Sequence, residues 1–491
     1  MKILYSITAA AEHEKQPLYI KGNFKTDREG LIHAGKGEEL DFTTYFNSFS
    51  LKKWKRYTTL TGLCLCLHLE GVFHITYRLL SESGEESRFE ETAQGEYIRK
   101  FNEGEMKGDI LGFSISPMET DGIYKGGEWQ GKFAHWAEKN MGASITTFKR
   151  EKYVKKTMET LQSFQKNHDW LHVLVVDNGS TLQEKEEERF RVIHNRNFGG
   201  SGGFTRGMME YVDKGTVDYV LLMDDDIELE PSVIERSHAL LCGLKEEYKE
   251  SFLSGAMLSL ETPNMQYENT AYWGKIRLHS FGKGLNLGKT DSLIKNEAVL
   301  SNHNRYGAWW YCAIPVQRIR DIGYPLPVFV KGDDMEYGIR NHRELIHMNG
   351  IGVWHQSFAS KMSPIIYYYS DRNMLIINHY AAGCGLLTFT VSVFGRIVKR
   401  MLQGNQTGLY ALCLAIQDYH GGFERITEIP SDEKMKILMG KLKNPASSFM
   451  IGRLVKAALA AVVNYPSVHR KYIAFREKRL CDSDFWKSFM C

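Results

Sequence analysis

The chain has 491 residues, too many for one ordinary core, so roughly two to four domains are expected. With 43% hydrophobic and 25% charged residues it is not a disordered chain. A formal charge of +3, with no basic motif interleaved with aromatics, gives no electrostatic case for nucleic acid.

From the N-terminus, Met1–Ala11 is diluted by Tyr5, Ser6 and Thr8 and reads as a first strand rather than a secretion signal. Residues up to about 135 are β-rich. Leu63–Leu69, Val72–Leu80 and Ile110–Ile115 have strand length, and Ser81–Glu86 suits a hairpin turn. Cys64 and Cys66 alternate with Leu63, Leu65 and Leu67, the pattern of a strand buried on both faces. The eight cysteines form no disulfide framework and no zinc pair. Free thiols fit a reducing, cytoplasmic setting. Tyr45, Phe46, Trp54 and Trp129 are either core or a sugar-binding face, with core the commoner outcome.

From about 138 the texture changes to alternating strands and helices. Ser144–Phe148, Leu171–Val176, Arg191–His194 and Tyr219–Met223 read as strands, and Lys155–Asn167 as an amphipathic helix. This rhythm predicts a mostly parallel sheet with its ligand site at the carboxyl ends of the strands. After about 385 the pattern is helical and basic, with Arg396, Lys399, Arg400, Arg453 and Lys456 beside apolar faces such as Met450–Ala460, and Arg470, Lys471, Arg476, Lys478 and Arg479 further on. Such helices pack on a neighbouring domain or lie on an anionic membrane. No stretch reaches the roughly 18 apolar residues of a membrane span; the nearest, Ala381–Phe394, carries Thr388, Thr390 and Ser392. The expected domains are a β-sandwich at 1–137, an α/β catalytic domain at 138–384 and a helical region at 385–491.

Three clusters carry chemistry. Leu221-Leu222-Met223 runs into Asp224-Asp225-Asp226, an apolar strand ending in three carboxylates. Charges placed there need compensation, and oxygen-rich sites of this kind suit Mg or Mn together with a ligand's phosphates. Thr146–Arg150 and Asp177–Ser180 are strand ends with donors and acceptors suited to a nucleotide. Between them, Arg196–Phe204 holds four glycines in five positions, which reads as a loop that approaches phosphates or moves as a lid. A dinucleotide-binding loop fails because Thr205 stands where the third glycine belongs. Asp333-Asp334 before a helix is an N-cap or a general base, and His355 after Trp354 is a candidate third metal ligand. A phosphatase acid pair would need Thr or Val where Glu228 stands.

These motifs in this order resemble glycosyltransferase family 2 with the GT-A fold, and within it the bacterial galactofuranosyltransferases best known from mycobacterial cell-wall synthesis. The resemblance rests on Thr147-Phe148-Lys149-Arg150, Val176–Ser180, Asn195–Gly203, Asp224-Asp225-Asp226, Trp309-Trp310, Asp333-Asp334, Trp354-His355 and Tyr367–Asn373. It covers about residues 140 to 375 closely and the rest only in architecture. It implies a Rossmann-like α/β GT-A domain behind the β-sandwich. It also implies Mn or Mg held by Asp224, Asp226 and His355, and Asp334 as catalytic base. The nucleotide-sugar pocket would be drawn from Thr147, Phe148, Arg150, Asp177, Asn197, Gly200, Asp225, Trp309, Trp310 and Asp333. Gln356 departs from the family, where an acidic residue is common. The implied activity is inverting transfer of galactofuranose from UDP-galactofuranose to a cell-surface glycan or lipid-linked acceptor. Related dTDP-rhamnose enzymes share much of the pattern. The rival from another class is a non-catalytic sugar-binding protein. Self-association through the tail and peripheral contact with the inner face of the cell membrane are further expectations.

Overall fold

The computed structural model describes residues 1–490 apart from 11, 302–303, 358–362, 444–450 and 480–482. Ala11 of the N-terminal segment and Met450 of the expected tail helix therefore lie outside the described residues.

The N-terminal part is an antiparallel sheet. It contains β1 (Lys2–Ile7), β2 (Leu60–Ser81), β3 (Gly84–Phe101), β4 (Ile110–Pro117) and β5 (Gly122–Phe133). The two strands expected at 63–69 and 72–80 are one strand, β2, with register shifts against β3 between Leu69 and Val72 and between Leu79 and Leu80. Its first half pairs with β5, its second half with β4, and β3 follows it along the other edge. The sheet packs on an aromatic core, in which Phe49, Phe101 and Phe113 lie against Trp129 with ring centroids 5.3, 5.9 and 6.0 Å away. Tyr45, Phe46, Trp54 and Trp129 are all 0% exposed, so these rings are core and offer no sugar-binding face.

The next sheet begins with β6 (Met141–Thr147), β7 (Leu171–Asp177), β8 (Phe190–His194) and β9 (Tyr219–Asp224), which pair in parallel in the order β8–β7–β6–β9. The chain continues through β10 (Phe252–Ser254), β11 (Ala256–Ser259), β12 (Tyr311–Pro315) and β13 (Gly352–His355). β12 joins β9 antiparallel and β10 joins β12 antiparallel, whereas β11 and β13 pair in parallel in a separate small sheet. Buried parallel strands read as unbroken apolar runs, as Val173–Val176 and Val220–Met223 do. The runs stop in register: Asp177 pairs with Thr147, and Asp224 with Thr146. Polar side chains from three strands therefore end in one row.

Among the helices, α1 (Glu151–Gln165) and α2 (Gly199–Lys214) belong to the α/β region, and α3 (Asp333–Asn341) follows the sheet. The C-terminal part is helical: α4 (Pro364–Ile377), α5 (Leu386–Leu402), α6 (Gln406–Thr427), α7 (Ser431–Lys443), α8 (Ile451–Val463) and α9 (Tyr465–Arg479). Leu375, Phe389, Leu412, Tyr419, Leu454 and Tyr472 share their core. Among the described residues no helix is long and apolar enough to cross a membrane.

Candidate active site

Asp224 closes β9, and Asp225 and Asp226 occupy the turn that follows. Thr147 Oγ1 donates to Asp225 at 2.7 Å, while Arg150 reaches Asp225 at 3.2 Å and Asp226 at 2.6 Å. Burial pushes the Asp225 carboxyl up to about 6, against the pull of Arg150 and Thr147. His355 comes from far along the chain, and a backbone bridge delivers it. Glu228 N–H donates to Trp354 O at 2.8 Å, and Trp354 N–H donates to Glu228 O at 3.0 Å. This pins the end of β13 beside the turn after β9.

His355 Nε2 then lies 2.9 Å from Asp226 Oδ1 and 3.8 Å from Asp224 Oδ2, and its ring is buried. Donor atoms of Asp224, Asp226 and His355 all fall within 4.8 Å of one another. The other ring nitrogen, Nδ1, is 2.6 Å from Gln356 O. A proton on Nδ1 donated to that carbonyl leaves Nε2 facing the carboxylates as a ligand atom. Because the main chain accepts this bond, the unusual Gln356 side chain costs the contact nothing. Burial works against charging the ring, yet the bond to Asp226 and the nearby Asp224 hold its pKa above the ordinary histidine value. With the ring proton displaced by a bound cation, three carboxylates against one guanidinium leave −3 + 1 = −2, which a divalent cation balances. Two carboxylates and an imidazole are a donor set that suits Mn or Mg, so the residues fit such an ion.

A cavity of about 320 Å³ opens beside this cluster. Thr147, Phe148, Arg150, Asn197, Gly200, Asp224 and Asp225 line it, as expected from the sequence, as do Thr146 and Asn178 from the same strand ends. The opposite wall is apolar: Phe329, Val330, Ile365, Ile366, Tyr369 and Met435. Of these six only Tyr369, inside the Tyr367–Asn373 motif, stood out in the sequence; the other five are isolated apolar residues and carry no motif.

The glycine-rich stretch is not a loop. Gly199 to Gly203 form the first turn of α2 and, except for half-buried Gly200, are buried. The glycines are there for close approach rather than for motion. At Gly199 (φ +69°) a side chain would strike the Phe329 carbonyl; at Gly202 it would strike Phe198; at Gly203, Thr146; and at Gly207, Ser144, each well inside 3.0 Å. Small residues let α2 lie tightly on β6, and its N-terminal turn faces the cavity, a setting that favours anions.

Four other expectations change. Asp177 is 0% exposed, and its carboxylate accepts from the backbone N–H of Gly179 (2.8 Å), Thr181 (2.6 Å) and Leu182 (2.7 Å). It braces the turn and is absent from the cavity wall, where Asn178 stands instead. Trp309 packs edge-on against Phe204 and Tyr337 (5.3 and 6.1 Å), and Trp310 Nε1 donates to Gly255 O at 2.8 Å. Both indoles are buried structural residues outside the cavity lining. Asp333 sits at the rim, its Oδ2 3.5 Å from where a Cβ on Gly200 would lie.

Asp334, half-buried, opens α3 and accepts from Met335 N–H at 2.7 Å. Burial, and then the adjacent Asp333 carboxylate, raise its pKa well above the usual carboxylate range. The segment before it is strained, with φ of +73° at Phe329, +67° at Lys331 and +88° at Gly332. Arg372 and Asn373 of α4 hold it. Arg372 Nη2 donates to Val328 O (2.6 Å), and Asn373 Nδ2 donates to Val330 O (2.8 Å) and Lys331 O (2.7 Å). The Tyr367–Asn373 motif thus clamps the chain that carries both acids and two cavity residues.

Comparison with known proteins agrees with this architecture. Residues 143–243 match the glycosyl transferase family 2 domain, and residues 8–107 match the galactofuranosyltransferase 2 N-terminal domain. The galactofuranosyltransferase GlfT2 of Mycolicibacterium smegmatis is 26% identical over 389 residues, covering 70% of this chain and 58% of that protein. GlfT2 of Mycobacterium tuberculosis is 25% identical over 386 residues, covering 70% and 59%. The chain therefore spans less than two thirds of the length of these relatives. Among solved structures, S. aureus TarS 1–349 aligns at a TM-score of 0.37 with 15% identity, over 68% of this chain and 91% of that one. Residues 143–243 thus match a glycosyltransferase family 2 domain, and the chain is similar to bacterial galactofuranosyltransferases over 70% of its length.

Proposed function

We propose that the protein is an inverting, cation-dependent glycosyltransferase that moves galactofuranose from UDP-galactofuranose onto a glycan or lipid-linked glycan. The observation that carries this reading is the convergence of Asp224, Asp226 and His355 beside a nucleotide-sized cavity at the carboxyl ends of the sheet. The choice of sugar rests on likeness to proteins named galactofuranosyltransferases.

Asp224, Asp226 and His355 would hold Mn or Mg. When bound, such an ion neutralises charge on the departing diphosphate. Arg150 fixes Asp225 and Asp226 in place, and α2 contributes the positive end of its dipole on the phosphate side, its N–H groups at Gly199, Ser201 and Gly202 being bonded to Asn197, Phe329 and Phe198. Asp334 acts as base: it takes the proton from an acceptor hydroxyl, whose oxygen attacks the anomeric carbon opposite the nucleotide. A carboxylate whose affinity for protons is raised is better matched to that task near neutral pH.

The tail supports a lipid surface as the place where acceptors are met. Leu387 and Leu402 on α5 and Val463 on α8 are 77%, 84% and 76% exposed. Exposed Lys399, Arg453 and Lys456 accompany them, and neither helix contains an acidic residue. Sedimentation with anionic vesicles, abolished by reversing these three charges, tests this contact.

UDP release from a panel of nucleotide sugars, with Mn and acceptor glycan present, tests the whole reading. Release from UDP-galactofuranose alone is expected. Release from dTDP-rhamnose instead would move the chain to the rhamnosyltransferases, and no turnover with any donor would favour a non-catalytic sugar-binding protein.

A further inference from the structure

Helix α7 belongs by sequence to the helical tail, yet it reaches the donor cavity. Met435, in its second turn, lines the cavity beside Ile365 and Ile366 of α4. Leu438 and Leu442, one and two turns further on, are buried in a cluster with Phe329 and Tyr369, both of which also line the cavity. Lys434 ties α7 to α6, with Nζ 3.1 Å from Asp418 and 2.9 Å from Arg425 O.

The remaining attachment crosses to the catalytic sheet. Arg196, in the segment between β8 and α2, lies 3.0 Å from Asp432 and 3.5 Å from Glu433. Acids in the first turn of a helix are common because the dipole favours them. That preference does not explain a guanidinium reaching them from 236 positions away. Nor does it explain why its neighbour in sequence, Asn197, is itself a cavity residue.

We propose that α7 is the wall that completes the nucleotide-binding cavity. Arg196 latches it through Asp432 and Glu433, and Met435 is a positioning residue against the nucleoside. The inference rests on the donor reading above and adds the element that closes the site. The two walls differ in kind. Carboxylates, Arg150 and the α2 terminus suit a cation and a diphosphate, whereas the Phe329, Val330, Ile365, Ile366 and Met435 side is uncharged. A flat base fits that side, and a thioether makes favourable, adaptable contact with aromatic rings.

The test is UDP binding by the full chain with Mn, followed by calorimetry, together with donor and acceptor KM and kcat. Arg196→Glu should weaken UDP binding about fivefold, the scale of a partly exposed ion pair of up to about 1 kcal/mol. The combination with Asp432→Arg and Glu433→Arg should restore binding to within about twofold. Met435→Glu should weaken it about tenfold or more, by placing a charge in the apolar wall. In each case donor KM should rise while acceptor KM and kcat at saturating donor hold, a split that general damage to the fold would not produce. Met435→Leu, which keeps the apolar volume, should bind UDP as the wild type does.

Unchanged UDP affinity in Arg196→Glu and Met435→Glu would overturn the proposal. So would a charge swap that fails to restore binding while its unfolding midpoint matches the wild type. A wild-type chain that binds no UDP would instead sink the donor reading itself, and this inference with it.

Discussion

Replacing Gly203 by alanine separates a packing role for the glycines from a role in motion. A Cβ at this position would lie inside 3.0 Å of Thr146 Cγ2 and 2.9 Å from both Thr146 Oγ1 and Asn178 Nδ2. Restoring ordinary contact requires α2 to lift from β6 by roughly an ångström, and overpacking of this sort costs about 1–3 kcal/mol. Alanine is favoured over glycine in a helix by about 1 kcal/mol, so the net loss should be up to about 2 kcal/mol. Thr146→Ala removes the struck atoms, and Thr146 Oγ1 has no hydrogen-bond partner to lose. The double variant should therefore be at least as stable as Thr146→Ala alone, and the coupling should match the relieved overpacking, about 1–3 kcal/mol. Gly395 in the middle of α5 is the control: no atom lies within 4 Å of its would-be Cβ, so Gly395→Ala should be neutral or stabilising. Denaturant unfolding of the four variants gives the coupling directly. If Gly203→Ala is as harmless as Gly395→Ala, or if Thr146→Ala gives no relief, the tight seat of α2 on β6 is wrong and a flexible glycine segment is restored.

Other outcomes follow from the site. Asp334→Asn should lower turnover by about 10²–10⁴-fold while leaving UDP binding in place; near-normal turnover would remove Asp334 as the base. Only the deprotonated carboxylate can act, and burial and Asp333 raise its pKa. Turnover should therefore climb with pH through a range above that of ordinary carboxylates, and a rate already flat from about pH 5 would contradict the assignment. Asp226→Ala should weaken cation-dependent UDP binding by more than about 100-fold, since even outer partners of metal ligands are worth 10–100-fold; calorimetry with and without Mn decides. Asp177→Ala leaves three backbone N–H groups without their charged acceptor. It should cost about 3 kcal/mol or more of stability. Intact stability with lost UDP affinity would return Asp177 to the nucleotide.

Much of the site was legible locally. An apolar strand that ends in Asp224-Asp225-Asp226 announces its own carboxyl end, and register then places Thr146, Thr147 and Asp177 beside it. What a residue does at that end was less legible. Asp177 and Asp224 look alike in sequence, but one accepts from three main-chain donors whereas the other faces a histidine. The glycines misled for a related reason: absence of a side chain serves freedom or contact equally well, and only neighbours on another strand tell which. Trp309-Trp310 invited a sugar-stacking role, yet both rings fill the interior beneath the site.

The amino-acid order alone determined the βαβ rhythm and the row of polar strand ends, because strand periodicity and the end of an apolar run are properties of a few adjacent residues. The folded chain decided the rest. The Glu228–Trp354 bridge brings His355 to the acids, the Arg372–Asn373 clamp shapes the segment before Asp334, and Met435 of α7 joins the cavity wall from the tail. Each depends on atoms that are distant along the chain and meet only when separate layers pack, so no local pattern records them.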